Sequence, residues 1–195
     1  AFPEGRESGL MHTSERVVDL VFSLLLDERV KLTEISAGYV SSLLFDNPTQ
    51  AAFYQRVFEA IKTGTEVVRH RCLQLIEAIS YSNFSFFHCK KNFDAFLELM
   101  HAHRSDERLM ARFVKCLNHI LKTLLVIQGR SEVCEMTVSA ENLQHLTAVL
   151  HTDSVDLSEP LSVILFLLSF NSQNLELIIV TLQQNIDRLA LSLNA

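Results

Sequence analysis

Ser105 to Gln128 reads SDERLMARFVKCLNHILKTLLVIQ, and taken as a helix it has two faces that barely overlap. Arg104, Arg108, Arg112, Lys115, His119 and Lys122 follow at steps of four, four, three, four and three. Those steps gather them within roughly a quarter of the helix circumference. Leu109, Phe113, Cys116, Leu117, Ile120, Leu121 and Leu124 fill the opposite arc, the stripe that a core would bury. Ser105 is the expected N-cap, Asp106 and Glu107 suit the positive helix end, and Gly129 is the expected stop. One long helix should therefore be buried on one side and cationic on the other. The rest of the chain must supply what buries it.

The totals set the class of that remainder. A chain of 195 residues with 48% hydrophobic residues can fill one core or one compact repeat array. Five Gly and three Pro are too few for an all-β protein, which needs turn chemistry every ten residues or so. The longest uninterrupted apolar run, Val163 to Leu168, is far short of the ~20 residues that span a bilayer, so no membrane partner is expected. Ala1 to Met11 has no apolar h-region, so a signal peptide is not expected, and a start at Ala suits a segment of a longer protein. Four scattered cysteines, Cys72, Cys89, Cys116 and Cys134, suit reduced thiols and an intracellular, cytoplasmic or nuclear setting. Cys72 and Cys116 fall on apolar helical faces and should be buried. Asn83-Phe84-Ser85 is a formal glycosylation sequon, a triplet common by chance.

In chain order, residues 1–12 read as a flexible lead-in, and residues 13–195 as one helical domain. A helix from Thr13 carries Val17, Val18, Val21, Leu24 and Leu25, and a second reaches about Phe45. Asn47-Pro48-Thr49-Gln50 starts the next, with Asn as cap and Pro at the first helical position. Thr63-Gly64 ends it near Lys62, and Thr65 caps a helix reaching about Tyr81. Tyr81 to Lys91 is looser, and Asn92 caps a short helix to about Ala102. Beyond the long helix, Glu132 to Val138 should be a small helix, and Ser139 caps another to about His151. Ser158-Glu159-Pro160 should start a helix to Phe170, and the last begins at Asn174.

An internal repeat links these pieces. Tyr54-x-x-Val57-x-x-Ala60-Ile61 shares its spacing with Phe93-x-x-Phe96-x-x-Leu99-Met100 and Leu143-x-x-Leu146-x-x-Val149-Leu150. Val18-x-x-Val21-x-x-Leu24-Leu25 is a fainter copy, and successive copies start 36, 39 and 50 residues apart. After each comes a polar turn and a longer helix.

That pattern resembles the armadillo and HEAT-type helical repeats. His101 to Asn118, with Cys116-Leu117-Asn118, and Leu143 to Asn171 match the armadillo pattern best. The resemblance implies an all-α solenoid of about four repeats over nearly the whole chain, closed by the last helix. It implies a scaffold or adaptor that binds proteins, with the longer helices lining a concave groove. The chain departs from the family in having no Trp and in carrying the interior Asn of nuclear-import receptors on one long helix alone, at Asn118. The ladder that holds an extended basic peptide in those receptors is therefore not carried over. The spacing is mostly apolar, so it specifies fold far better than activity.

Charge points to the middle of the chain. Residues 1–55 carry net −4, residues 56–130 net +5 and residues 131–195 net −7. A cationic ridge at Arg104, Arg108, Arg112, Lys115, His119 and Lys122, with Asn118 beside it, could be a solvated face. The sharper reading is a surface for an acidic peptide or helix of a protein partner. The groove implied by the resemblance would add Arg69, His70 and Gln74 from the preceding long helix.

Nucleic acid is the alternative partner. It is disfavoured because the flanking segments are acidic and no aromatics interleave with the basic residues. His88-Cys89 and His101-x-His103 match no zinc spacing, and no metal or other cofactor is expected. Phosphate loops and nucleophile or zinc-protease motifs are absent, so an enzyme is not expected.

The last helix carries a seam, Leu175, Ile178, Leu182, Ile186, Leu189 and Leu193, with steps of three, four, four, three and four. Ile179, Val180 and Leu191 widen it. Such a helix is expected to close the array; otherwise it is a docking face for a second chain.

Overall fold

The computed structural model describes residues 16, 18–20, 22, 23, 26, 27, 47–79, 87, 89–150 and 155–193. The expected lead-in, the helix ending near Phe45, the loop around Tyr81, the sequon and His88 lie outside the described residues. All regular structure among the described residues is α-helical. The chain divides into two compact units, Ala1–Phe86 and Phe87–Ala195.

The first unit is built on helix α1 (Asn47–Thr63) packed against α2 (Glu66–Ile79). The apolar repeat sets the inward face of α1, with Tyr54, Val57 and Ile61 fully buried beside Phe53. Two constraints enforce the turn between the helices. A Cβ on Gly64 would lie 2.4 Å from the Ala60 carbonyl oxygen and 2.8 Å from a Val68 methyl, so only glycine allows this approach. Thr65 then caps α2 through its Oγ1, which accepts from the Val68 N–H at 3.4 Å. Cys72, Leu73, Leu75 and Ile76 form the buried face of α2. Residues 18–20, 22, 23 and 26 are helical; Phe22 meets Phe53 edge-on at 6.1 Å, and Asp19 pairs with Arg56 at 2.9 Å.

The second unit has six helices among its described residues. They are α3 (Lys90–Ala102), α4 (Glu107–Gln128), α5 (Arg130–Glu135), α6 (Ala140–Val149), α7 (Val155–Leu168) and α8 (Ser172–Leu193). Short α3 packs on short α6, long α4 packs on long α7, and α8 packs on α6. Phe87, Phe96 and Phe113 run through this core as edge-to-face pairs, with centroids 5.7 and 5.3 Å apart. Each such pair adds about 0.5–1.5 kcal/mol beyond the area it buries. The first two positions of the repeat are buried in both short helices, as Phe93 and Phe96 in α3 and Leu143 and Leu146 in α6.

Several helix ends differ from the expected ones, each for a local reason. The long helix starts at Glu107, not Ser105, because Asp106 Oδ1 takes the Leu109 N–H at 3.0 Å and is the actual N-cap. Arg104 therefore sits in the turn before α4, outside the helix. Helix α3 starts at Lys90, not after Asn92, because the Cys89 carbonyl already accepts from the N–H groups of Asn92 and Phe93. Helix α5 covers Arg130–Glu135 in place of Glu132 to Val138, since Met136 and Val138 are held in an extended run by Asn174. Helix α7 begins at Val155 rather than at Ser158. Leu157 belongs to the same buried stripe as Leu161, Ile164 and Leu168, and Pro160 falls inside the helix. Helix α8 begins at Ser172 because Asn171, not Asn174, caps it, accepting from the N–H groups of Gln173 and Asn174.

Two ends match the sequence reading closely. Ser139 caps α6 through the Asn142 N–H at 3.2 Å. Gly129 stops α4 with φ 86° and ψ −178° while its N–H bonds the Leu125 carbonyl.

Candidate functional site

Helix α4 is the best-anchored element of the second unit. Leu109, Met110, Phe113, Val114, Cys116, Leu117, Ile120, Leu121, Thr123 and Leu124 are all buried. At 100° per residue these cover more than half of its circumference. What remains open is a narrow stripe, with Arg108, Ala111, Lys115, Lys122 and Val126 exposed and Arg112, Asn118 and His119 half-buried. From Arg108 to Lys122 the stripe runs about 21 Å at 1.5 Å per residue.

Among the described residues, the cations at the two ends of the stripe form no ion pair with an acid. Ion pairs among the described residues join Arg56 to Asp19, His70 to Glu66 and Lys90 to Asp94. None involves Arg104, Arg108 or Lys122. Arg104 instead donates from Nη1 to His101 Nε2 at 3.1 Å. His119 Nε2 lies 3.5 Å from the Thr123 hydroxyl within α4. Asn118 Oδ1 is buried and accepts no hydrogen bond from the described residues.

The stripe also contains a residue that the charge pattern passed over. Val126 lies one turn beyond Lys122 and is 82% exposed. Its i+4 spacing from Lys122 was the available signal, hidden because an aliphatic residue on a long helix reads as core. Ile127 beside it is also exposed.

The other expected binding residues lie on α2 of the first unit. Arg69 Nε donates to the Ile61 carbonyl at 3.1 Å, so this guanidinium serves the end of α1. His70 stands 3.8 Å from Glu66, one turn earlier on the same helix, and Gln74 is exposed.

His101, whose spacing to His103 matches no zinc pattern, is stacked on His145 of α6 with centroids 3.3 Å apart and planes within 2°. Lone pairs of imidazole lie in the ring plane, so two parallel rings cannot point at one ion. An arginine has no acceptor, so the Arg104 bond requires a lone pair on His101 Nε2 and hence its neutral form. Burial, the neighbouring His145 and the Arg104 charge push the His101 pKa below its usual value, against a smaller opposing pull from Glu141. Among the described residues, no group of three or more His, Cys, Asp or Glu is placed to hold a metal ion. None of the described helices is long and apolar enough to cross a membrane.

The cysteines follow their helical faces. Cys72 and Cys116 are buried, Cys134 is half-buried and Cys89 is exposed, and none of the four is in a disulfide. Burial pushes the Cys72 thiol up to about 12.

No family model matches the chain, and neither a curated protein nor a solved structure is significantly similar to it.

Proposed function

We propose that this chain is a non-enzymatic helical-repeat module of the armadillo or HEAT kind, a scaffold or adaptor. It takes an acidic segment of a protein partner along the α4 stripe. The observation that carries this reading is the setting of the stripe. Buried side chains fix α4 on every other side, and Arg108 and Lys122 have no ion pair among the described residues. A rigid rail whose end cations have no acid partner among the described residues suits a ligand of opposite sign better than it suits stability. The packing of short α3 on short α6 and long α4 on long α7 supports the repeat architecture.

Magnitude limits the partner. Exposed ion pairs are worth about 0.2–1 kcal/mol each, so about four of them supply at most about 4 kcal/mol, a millimolar affinity. A useful ligand must therefore also cover Val126 with an apolar side chain about one turn past its last carboxylate. An extended segment of about eight residues spans the roughly 27 Å from Arg108 to Val126 at about 3.3 Å per residue.

The test is fluorescence anisotropy with a labelled Glu-rich peptide carrying one Leu near its end. Binding should weaken as salt rises, because exposed charges are screened beyond about 8 Å at physiological ionic strength. It should disappear in the triple variant Arg108→Glu, Lys115→Glu, Lys122→Glu. Equal binding by that variant at low salt would reduce the stripe to a solvated face. Tighter binding of a labelled duplex or single-stranded oligonucleotide, with a steep salt slope, would move the reading to nucleic acid.

A further inference from the structure

Helix α8 carries more apolar surface than its own unit uses. Asn174, Ile178 and Thr181 are buried where α8 packs on α6. Ile178 is 5% exposed, whereas its neighbour Ile179 is 57% exposed. The seam expected from the sequence therefore splits. Ile178 belongs to the inward face, and a second stripe runs through Leu175, Ile179, Leu182 and Ile186 at steps of four, three and four. Leu175 is 41% and Ile186 57% exposed, and Leu182 is half-buried. At 100° per residue the two stripes are centred about 100° apart, so the second is not the rim of the first.

We infer that this second stripe is the seam of a homodimer, in which α8 pairs with α8 of a second copy as a short parallel two-stranded coiled coil. The residue types choose this geometry. The steps place Ile179 and Ile186 at the a positions of a heptad and Leu175 and Leu182 at the d positions. β-Branched residues at a with Leu at d favour two parallel strands. The sequence continues the same register through Leu189 and Leu193, both within the span of α8.

Charge also suits a second copy. The positions flanking the exposed seam are Glu176, Ile178, Gln183 and Asn185. Of these, Ile178 is already covered within its own unit and Gln183 and Asn185 are uncharged, so Glu176 is the one charge beside the exposed seam. The charged residues of α8 are Glu176, Asp187 and Arg188, and none of them falls on the apolar stripe itself. A lipid surface is a poorer occupant, since it calls for Lys or Arg beside the apolar stripe and α8 carries only Arg188. Fewer than three heptads make a weak coiled coil when the helix must also be formed. Here α8 is already folded on α6, so pairing does not bear the cost of helix nucleation.

The test is sedimentation equilibrium on the full 195-residue chain and its variants. The native chain should show the mass of two copies. Ile179→Lys with Ile186→Lys should be monomeric at every concentration, with unchanged helical circular dichroism because both residues are exposed. Val180→Lys, on an exposed position off the seam, should remain dimeric. For orientation, Leu175→Cys in a Cys89→Ser background should oxidise to a covalent dimer, because a parallel pair sets each residue 175 beside its copy. A monomeric native chain would overturn the proposal, and so would a dimer that survives both Lys changes. Loss of the dimer in Val180→Lys would refute the register. If the Leu175→Cys variant dimerises but forms no intermolecular disulfide on oxidation, the parallel arrangement is refuted.

Discussion

Asn174 Oδ1 accepts the Val138 N–H at 3.0 Å, while its Nδ2 donates to the carbonyls of Met136 at 2.7 Å and Leu168 at 3.1 Å. A single amide with no exposed surface thus ties the extended run between α5 and α6 to the junction of α7 and α8. Asn171 works beside it, donating to the Cys134 carbonyl at 2.6 Å. Replacing Asn174 by Ala should leave two or three buried backbone groups without partners. At about 1–3 kcal/mol each, the expected loss is about 3–5 kcal/mol, a large share of a typical total of about 5–15 kcal/mol. Urea unfolding measures it, and a loss under about 1 kcal/mol would show that water replaces the amide.

Asp94 joins α3 to α6 in a similar way. Its Oδ1 receives Asn142 Nδ2 at 2.8 Å and the Ser139 N–H at 3.2 Å, and its Oδ2 pairs with Lys90 at 2.9 Å. Burial pushes this carboxyl up, but the hydrogen bonds from Lys90, Asn142 and Ser139 and the Lys90 charge outweigh it. The net pKa lies below the ordinary value of 3.8. A depressed carboxylate stabilises the fold above its unfolded pKa, and that contribution is lost as pH falls through the folded value. Stability of the native chain should therefore fall on acidification below about pH 4, and that of Asp94→Asn should fall less steeply. Parallel slopes from urea titrations at stepped pH would contradict this.

Thiol reactivity should sort the four cysteines by position. A maleimide should label Cys89 first and Cys134 more slowly. Cys72 and Cys116 should react only after denaturant is added, because both are buried. The Cys72 thiol, with its pKa near 12, also offers almost no thiolate at neutral pH. Mass spectrometry of timed digests reads the order. Early labelling of Cys72 would mean that α2 opens locally.

Two adjacent isoleucines should behave as opposites. Ile178→Ala empties a buried site on α8 and should cost about 2–5 kcal/mol. Ile179→Ala, at a position 57% exposed, should change the stability of an isolated chain by no more than about 0.5 kcal/mol. Denaturation at low protein concentration, where association plays no part, separates the two. Equal losses would mean that the helix is turned differently about its axis.

Helix existence and the buried faces were legible because apolar spacing reports them directly. Tyr54, Phe93 and Leu143 are all buried where the repeat put them. The cationic stripe of α4 was legible for the same reason. Helix starts were less so, since several residues compete to cap one end. Asp106 displaces Ser105, and Asn171 displaces Asn174. What could not be read was a side chain with distant partners. Asn174 bonds residues 36 and 38 positions away, and no local pattern announces that. The split of the α8 seam was hidden too, because Ile178 and Ile179 are the same residue type and only packing distinguishes them.

Gly129 has a consequence for how this chain can change. Its φ of 86° with ψ of −178° lies in a region open essentially to glycine alone, yet a Cβ built there would touch nothing within 4 Å. The constraint is a clash of any Cβ with its own adjacent peptide groups at this torsion, not with the surrounding side chains. In a saturation scan, position 129 should reject every side chain, at about 1–3 kcal/mol, although the space around it is empty. Enlarging that space by trimming neighbours would rescue none of them. Gly64 is the counter-case, where a shortened Val68 would still leave the Ala60 carbonyl in the way. The two glycines thus forbid substitution for different reasons, and the reversal after the cationic rail is fixed by one backbone torsion.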